Sequence, residues 1–315
     1  LAPLAAIAPQ LVLVFGSVGL FTAPGLFESL KSGLPGAALA GCTTAGEIGS
    51  GGVSDGELVI TALHFSRSTL CVAVTDLDDM EDSRSAGGRL GLALAAPGLV
   101  HVLVLGQGVQ INGSALIEGF ADSLPPGVML SGGLAGDGGA FARTWTLSDH
   151  GLSERQIVAI AFSGEHIRLH QGSFHGWKPF GPVRKVTGCA GNLLYELDGH
   201  PALDVYKRYL GDYAKDLPAS GLLFPFEMLG EDRSSLGLIR TILGVDEASG
   251  SLVLAGSIVE RGYLRLMHAS TDSLVDGAVV AAETAFRPGT DSGESLVLLV
   301  SCVGRKLVMG ARVDE

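Results

Sequence analysis

The sequence predicts an α/β protein of two domains, built from layered mixed β-sheets with helices and internal β-α-β repeats. Three observations carry this expectation. The 315 residues are 47% hydrophobic and only 17% charged, with a mean hydropathy of +0.38, so most elements must be buried on more than one side. Short apolar runs rich in β-branched residues stop at glycine, as strands covered on both faces do. The order of elements recurs 90 residues further on, which marks an internal repeat. The length itself suits two domains, at roughly 150 residues each.

Taken in order, Leu11-Val12-Leu13-Val14-Phe15 reads as a buried strand closed by Gly16-Ser17. Phe27 to Gly33 makes a short helix before Pro35-Gly36, and Ala38-Leu39-Ala40 a second strand before the glycine-rich turn from Gly41 to Glu47. Leu58 to Phe65 and Thr69 to Val74 follow as strands. The repeat then begins. Val102 to Gly106 stands for Val12 to Gly16, Ser114 to Ser123 for the helix, and Gly132 to Asp137 for the turn Cys42 to Glu47, with Ala-Gly-acid kept at its end. Ile157 to Phe162 returns as the next strand.

Pro179, Gly181 and Pro182 punctuate the chain near a boundary, so the expected domains are 1–178 and 179–315. Beyond it, Ala202 to Leu210 has a helical pattern opened by Pro201. Ser251 to Ile258 and Gly262 to His268 suggest a hairpin. Ser273 to Phe286 is the best long helix, and Leu296 to Val300 reads as a buried strand ending in Ser301-Cys302-Val303-Gly304-Arg305.

Charge and cysteine usage exclude several classes. A net charge of −12 without a dense Lys/Arg cluster argues against nucleic acid, which needs a basic face. Cys42, Cys71, Cys189 and Cys302 lie far apart with no Cys-x-x-Cys pair, as reduced thiols of a cytoplasmic protein do. The apolar opening from Leu4 to Leu20 lacks a basic start and is broken at Pro9-Gln10 and Gly16-Ser17, so it reads as a buried segment and strand rather than a membrane anchor.

Five stretches, in order, resemble the FIST family of sensory proteins, in which an N-terminal and a C-terminal FIST domain are paired. They are Gly41-Cys42-Thr43-Thr44-Ala45-Gly46-Glu47-Ile48, Gly132-Gly133-Leu134-Ala135-Gly136-Asp137, His175-Gly176-Trp177-Lys178-Pro179-Phe180-Gly181, the run from Leu197 to Tyr206, and Ser301-Cys302-Val303-Gly304-Arg305. The resemblance implies intracellular signal transduction through a separate output protein such as a histidine kinase or a cyclic-dinucleotide enzyme. It also implies small ligands such as amino acids, and for some members haem and nitric oxide. Members of the family usually continue past the Cys-Val-Gly-Arg stretch, whereas this sequence stops at Glu315, which implies a trimmed chain or a shortened member.

Successive amides in tight turns make anion-binding concavities, which makes Cys42, Thr43, Thr44, Gly132 and Gly133 candidates for a ligand held where the turns face the domain junction. Glu47 and Asp137, at matching places in the two repeats, are candidates for an amine, or else they tie down their turns. Arg305 suits a carboxylate or an inter-domain ion pair. Trp177 suits stacking on a ligand or filling the junction. Neither turn has the spacing of a phosphate or dinucleotide loop.

His175, between Phe174 and Trp177, is the candidate axial ligand if haem is bound, with His200 second. If 166–175 is a strand, His166 and His170 share one face and His175 the other, which disfavours a three-histidine metal site. Cys42 is the one candidate nucleophile, in a turn whose field would lower its pKa, but no partner histidine or Gly-x-Ser-x-Gly elbow accompanies it. The expectation is therefore a non-enzymatic cytoplasmic sensor of a small ligand. A haem-based nitric-oxide sensor and a cysteine-dependent hydrolase stand as alternatives.

Overall fold

A computed structural model describes residues 1–286 and 295–315. Contacts divide the chain into two units. The first comprises Leu1–Ile111, Ala115–His170 and Leu298–Val300, and the second Asn112–Ser114, Gln171–Val297 and Ser301–Glu315.

In the first unit a short helix α1 (Ala2–Ala5) precedes strand β1 (Leu11–Gly16), helices α2 (Val18–Phe21) and α3 (Leu26–Gly33), and strand β2 (Ala38–Thr43). The hairpin β3 (Glu47–Gly49) and β4 (Gly52–Ser54) leads to β5 (Leu58–Leu63), β6 (Thr69–Asp76) and helix α4 (Ser83–Leu94). A second copy follows as β7 (Leu99–Gly106), α5 (Gly113–Ser123), β8 (Met129–Leu134), the hairpin β9 (Thr146–Ser148) and β10 (Gly151–Ser153), and β11 (Gln156–Ser163). One sheet runs β10-β9-β2-β1-β5 and another β6-β11-β7-β8. In each copy the first strand pairs in parallel with the second and antiparallel with the last.

The apolar runs are continuous because both faces of each sheet are covered. Val12 and Val14 pack with Phe21, Leu30 and Leu34 on the helical side. Leu11 and Leu13 pack with Leu103, Leu105, Val158 and Ile160 of the other sheet. Val102 and Val104 meet Leu90, Leu116 and Phe120 of α4 and α5. The layers are thus helix, sheet, sheet, helix. Burying each such Leu or Val contributes roughly 1.5–3 kcal/mol relative to exposure.

Two sequence expectations change here. The stretches Gly41–Thr43 and Gly132–Leu134, expected in turns, are the ends of β2 and β8. Glycine is required there by close approach, since a Cβ on Gly41 would stand 1.9 Å from the Val14 oxygen and one on Gly132 1.9 Å from the Val104 oxygen. The repeat is also not uniform. Val14 opposes Gly41 and Val104 opposes Gly132, so the offset is 90 for the first strand and 91 for the second. In the hairpins, Glu47 opposes Ser54 while Thr146 opposes Ser153. Thr146, not Asp137, is therefore the counterpart of Glu47, and Asp137 lies in the longer connection 135–145.

The second unit contains β12 (Lys178–Pro179), β13 (Arg184–Ala190), β14 (Leu193–Leu197), β15 (His200–Pro201) and α6 (Ala202–Leu210). It continues with β16 (Phe226–Leu229), β17 (Ser235–Arg240), β18 (Ile242–Asp246), β19 (Ser251–Leu254), β20 (Tyr263–His268), α7 (Thr271–Ala285) and α8 (Val303–Met309). The sheet order is β17-β16-β20-β13-β14-β19-β18, with β12 on β20 and β15 on β14. Leu203, Tyr206 and Leu210 line the inner face of α6 and pack with Leu194, Phe226, Met228 and Leu264, the spacing an amphipathic helix requires. The Tyr206 hydroxyl donates to the Phe224 carbonyl at 2.8 Å.

Here too the structure corrects the sequence. The expected hairpin of Ser251–Ile258 with Gly262–His268 does not form: β19 pairs with β14 and β18, and β20 with β13 and β16. The preceding strand β18 and the distant β14 take the two edges of β19, leaving none for β20. Residues 166–175 are neither strand nor helix, so strand alternation does not order their histidines. Leu296–Val300 is not a buried strand: it is 40–72% exposed and pairs with no strand among the described residues. Ser301–Arg305 runs into helix α8, where the Cys302 sulfur caps the first turn by accepting from the Arg305 N–H at 3.3 Å.

Candidate functional site

The ends of β2 and β8 come together within the first unit. The Thr44 N–H donates to the Gly16 oxygen at 3.0 Å, and the Ala135 N–H to the Gly106 oxygen at 2.8 Å. The two turns then join, because the Gly136 N–H donates to the Thr43 oxygen at 2.8 Å. Of the amides expected to face an anion, those of Thr43 and Thr44 are engaged by the Trp145 and Gly16 carbonyl groups. Thr43 is fully buried; its hydroxyl accepts from the Trp145 N–H at 3.1 Å.

Each acid orders its own segment. Glu47, 2% exposed, accepts from the Thr44 hydroxyl at 2.5 Å and from the Glu57 N–H at 3.0 Å. Asp137 accepts from three successive amides, Phe141 at 3.1 Å, Ala142 at 2.7 Å and Arg143 at 3.2 Å, folding the longer connection over itself as an Asx turn does. Cys42 departs from expectation. It lies in the core between the two sheets, and burial pushes its thiol up to about 12, where it is no thiolate at neutral pH.

In the second unit, Trp177 is buried against Met267, Leu274 and Met309. Arg305, on α8, donates to the Leu274 carbonyl, and among the described residues no carboxylate pairs with it. His175 stacks on Phe174 with ring centroids 5.4 Å apart, and its Nδ1 accepts from the Trp177 N–H at 3.0 Å. A haem-ligating imidazole needs the reverse, a proton donated from one nitrogen so that the other is free for iron. With Nδ1 accepting, the neutral ring carries its proton on Nε2, so this geometry does not fit an axial ligand. Among the described residues no group of three or more His, Cys, Asp or Glu is placed to hold a metal ion. No helix among them is long and apolar enough to cross a membrane.

A polar, half-open hollow of the first unit, of about 350 Å³, was not foreseen. It opens at the carboxyl ends of β6 and β7, where open α/β sheets commonly bind ligands. Its walls are Leu77 to Asp79 after β6, Gln107, Val109 and Gln110 after β7, Ala142 to Thr144 before β9, and Glu154 and Arg155 before β11.

Two arginine–carboxylate ion pairs face this space. Arg143 donates through Nε to Glu154 at 2.9 Å and lies 4.9 Å above the Trp145 ring. Its guanidinium holds the Glu154 carboxyl below the usual range. Arg155 donates to Asp78 at 3.0 Å and to the Leu77 carbonyl at 3.3 Å. The buried Gln107 side chain accepts from the Val109 and Gln110 amides at 2.9 and 3.0 Å, and Thr144 accepts from the Gly108 N–H at 2.8 Å. The wall is therefore pre-ordered by polar bonds. Asp137 contributes by fixing Ala142 and Arg143, the one link between a sequence-predicted residue and this cavity. The signal that could have found it is positional: Gln107 follows the glycine at the carboxyl end of a buried parallel strand.

A larger surface hollow in the second unit, of about 520 Å³, is lined by His200, Pro201, Asp204, Lys207 and Arg208. Lys207 there pairs with Glu247 at 2.6 Å.

Comparison with known proteins agrees with the resemblance seen in the sequence. The profile of the FIST N domain matches residues 10–200, and that of the FIST C domain matches residues 202–315. An uncharacterized protein of Methanocaldococcus jannaschii is 24% identical over 201 residues, which is 60% of this chain and 38% of that protein. The similar stretch thus spans well under half the length of that curated relative.

Proposed function

Because the chain belongs to the FIST family, whose domains are associated with sensory roles in signal transduction, we propose that it is a sensor whose first unit binds a small ligand carrying charges of both signs. The observation that supports this reading is the cavity walled by the Arg143–Glu154 and Arg155–Asp78 pairs. Exposed ion pairs contribute only about 0–1 kcal/mol. A ligand carboxylate and ammonium can therefore replace the partners of an arginine and an acid at little cost, while the ordered Gln107 and Thr144 wall sets the shape. Free amino acids have this chemistry. The site lies beside the second glycine-acid turn, which Asp137 ties.

Occupancy is relayed to a partner output protein such as a histidine kinase or a cyclic-dinucleotide enzyme. The hydrolase alternative loses its nucleophile in the sealed Cys42 thiol, and the haem alternative loses its ligand at His175.

Calorimetry with free α-amino acids, set against their N-acetyl amides, tests the reading. Saturable binding of at least one free amino acid, absent for its N-acetyl amide and lost in the Arg143→Ala/Arg155→Ala double variant at unchanged melting temperature, is expected. Binding that survives the double variant, or none across the panel, removes this cavity as the sensor site. For the relay, the activity of a co-purifying output enzyme should change when the bound amino acid is added.

A further inference from the structure

The two copies in the first unit differ at a place the repeat would make alike. In the first sheet the outer edge of β2 is covered, with Leu147 and Thr146 of β9 pairing with Gly41 and Cys42. By register the equivalent residues of β8 are Gly132 and Gly133. Strand β8 is the edge of its sheet, and among the described residues no backbone group pairs with its outer side. The hairpin that the repeat would put there, β3–β4, forms a sheet by itself. An open strand edge with unpaired amides and carbonyls recruits another strand.

A candidate strand stands beside it. Leu296–Val300 is five consecutive apolar residues, 40–72% exposed and in no helix or strand, a pattern that soluble surfaces avoid unless it is used. Leu298–Val300 group with the first unit, and a Val300 methyl carbon lies 3.1 Å from where a Cβ would stand on Gly133. Opposite Leu103 and Leu105, β8 presents only Ser131 and Gly133, so its face has room for side chains from a neighbour.

We propose that Leu298–Val300 adds to the open edge of β8 at Gly132–Gly133 as a short strand, doing for the second sheet what β9 does for the first. Leu298 and Val300, two residues apart, then point to one face and cover Ser131 and Gly133. The ladder supplies partners for the free edge amides, and the small residues of β8 select the occupant's side chains, the division of labour general to strand addition. At three residues the strand matches β9 in length.

Amide hydrogen exchange on the full chain tests this. Leu298–Val300 and the outer amides of Gly132–Leu134 should exchange at least about tenfold more slowly than an unstructured chain. Because ladder donors alternate, Leu299→Pro and Val300→Pro are both made. At least one should release the protection of Gly132–Leu134 and leave β7 and β11 protected. Exchange of Leu298–Val300 at unstructured-chain rates overturns the proposal, as does protection at β8 that neither proline alters. Protection that grows with protein concentration would assign the edge to a second copy instead, and equally overturns it.

Discussion

The two copies of the first unit share a ladder and part company after it. In β1–β2 and β7–β8 the same approach of strand backbones forces glycine at 41 and 132. Past that point the first copy turns at once into a hairpin over buried Glu47, whereas the second runs through 135–145 before its hairpin and forms a wall of the polar cavity. Where backbone meets backbone the sequence has no freedom. Where the chain leaves the sheet it diverges, and there the candidate chemistry lies.

Substitutions that probe the shared ladder should have the largest effects. Gly41→Ala and Gly132→Ala each drive a methyl into a carbonyl oxygen and should each lower stability by about 3 kcal/mol or more. Gly132→Ala should be the worse, since its φ of +142° adds strain. Urea midpoints at constant slope measure this, and a tolerated alanine at either site would break the equivalence of the copies. Next come the non-equivalent hairpin residues. Glu47→Ala leaves the Thr44 hydroxyl and the Glu57 amide without their acceptor and should cost about 2–3 kcal/mol, against about 1 kcal/mol for Thr146→Val. Equal losses would mean that the two hairpins are held alike after all.

A third difference between the copies is His101, buried in β7 with Nε2 2.7 Å from the Ser131 hydroxyl and Nδ1 without a partner among the described residues. Burial lowers its pKa from the ordinary 6.5, so the folded chain holds it neutral. Its contribution is complete above pH 6.5 and is lost as pH falls from there toward the folded value, with a slope of at most about 1.4 kcal/mol per pH unit. His101→Gln should flatten the pH dependence of unfolding over that window, leaving the part that His175, shifted the same way, supplies. The smallest effect is expected at the cavity. Arg143→Ala and Arg155→Ala, whose side chains are more than half exposed, should change stability by less than about 0.5 kcal/mol; a larger loss would make the pairs structural.

Much of the architecture is legible in the sequence because it rests on local pattern. The runs at Leu11–Phe15, Val102–Gly106 and Ile157–Phe162 are strands as their apolar continuity requires, and α6 follows its spacing from Pro201. The family was legible for the same reason, since its marks are short contiguous runs. What escaped depends on partners far away in the chain. Glycines 41 and 132 read as turns because only the opposing strand shows why they are small. Ser251–Leu254 read as half of a hairpin with the strand after it, whereas it pairs with β18, the strand before it, and with the distant β14. The cavity escaped altogether. Arg143, Glu154, Arg155 and Asp78 have no joint spacing in sequence and meet only because the carboxyl ends of β6 and β7 flank the start of β11.

The sealed position of Cys42 has a consequence for measurement. Cys71 and Cys302 are exposed and Cys189 partly so, so a thiol reagent should consume those sites promptly, leaving one sulfhydryl whose modification must await separation of the two sheets. The slow phase of such a titration is a clock for that opening. Run with and without a bound small molecule, it reports how firmly the sheet pair is held closed, with no label introduced into the chain.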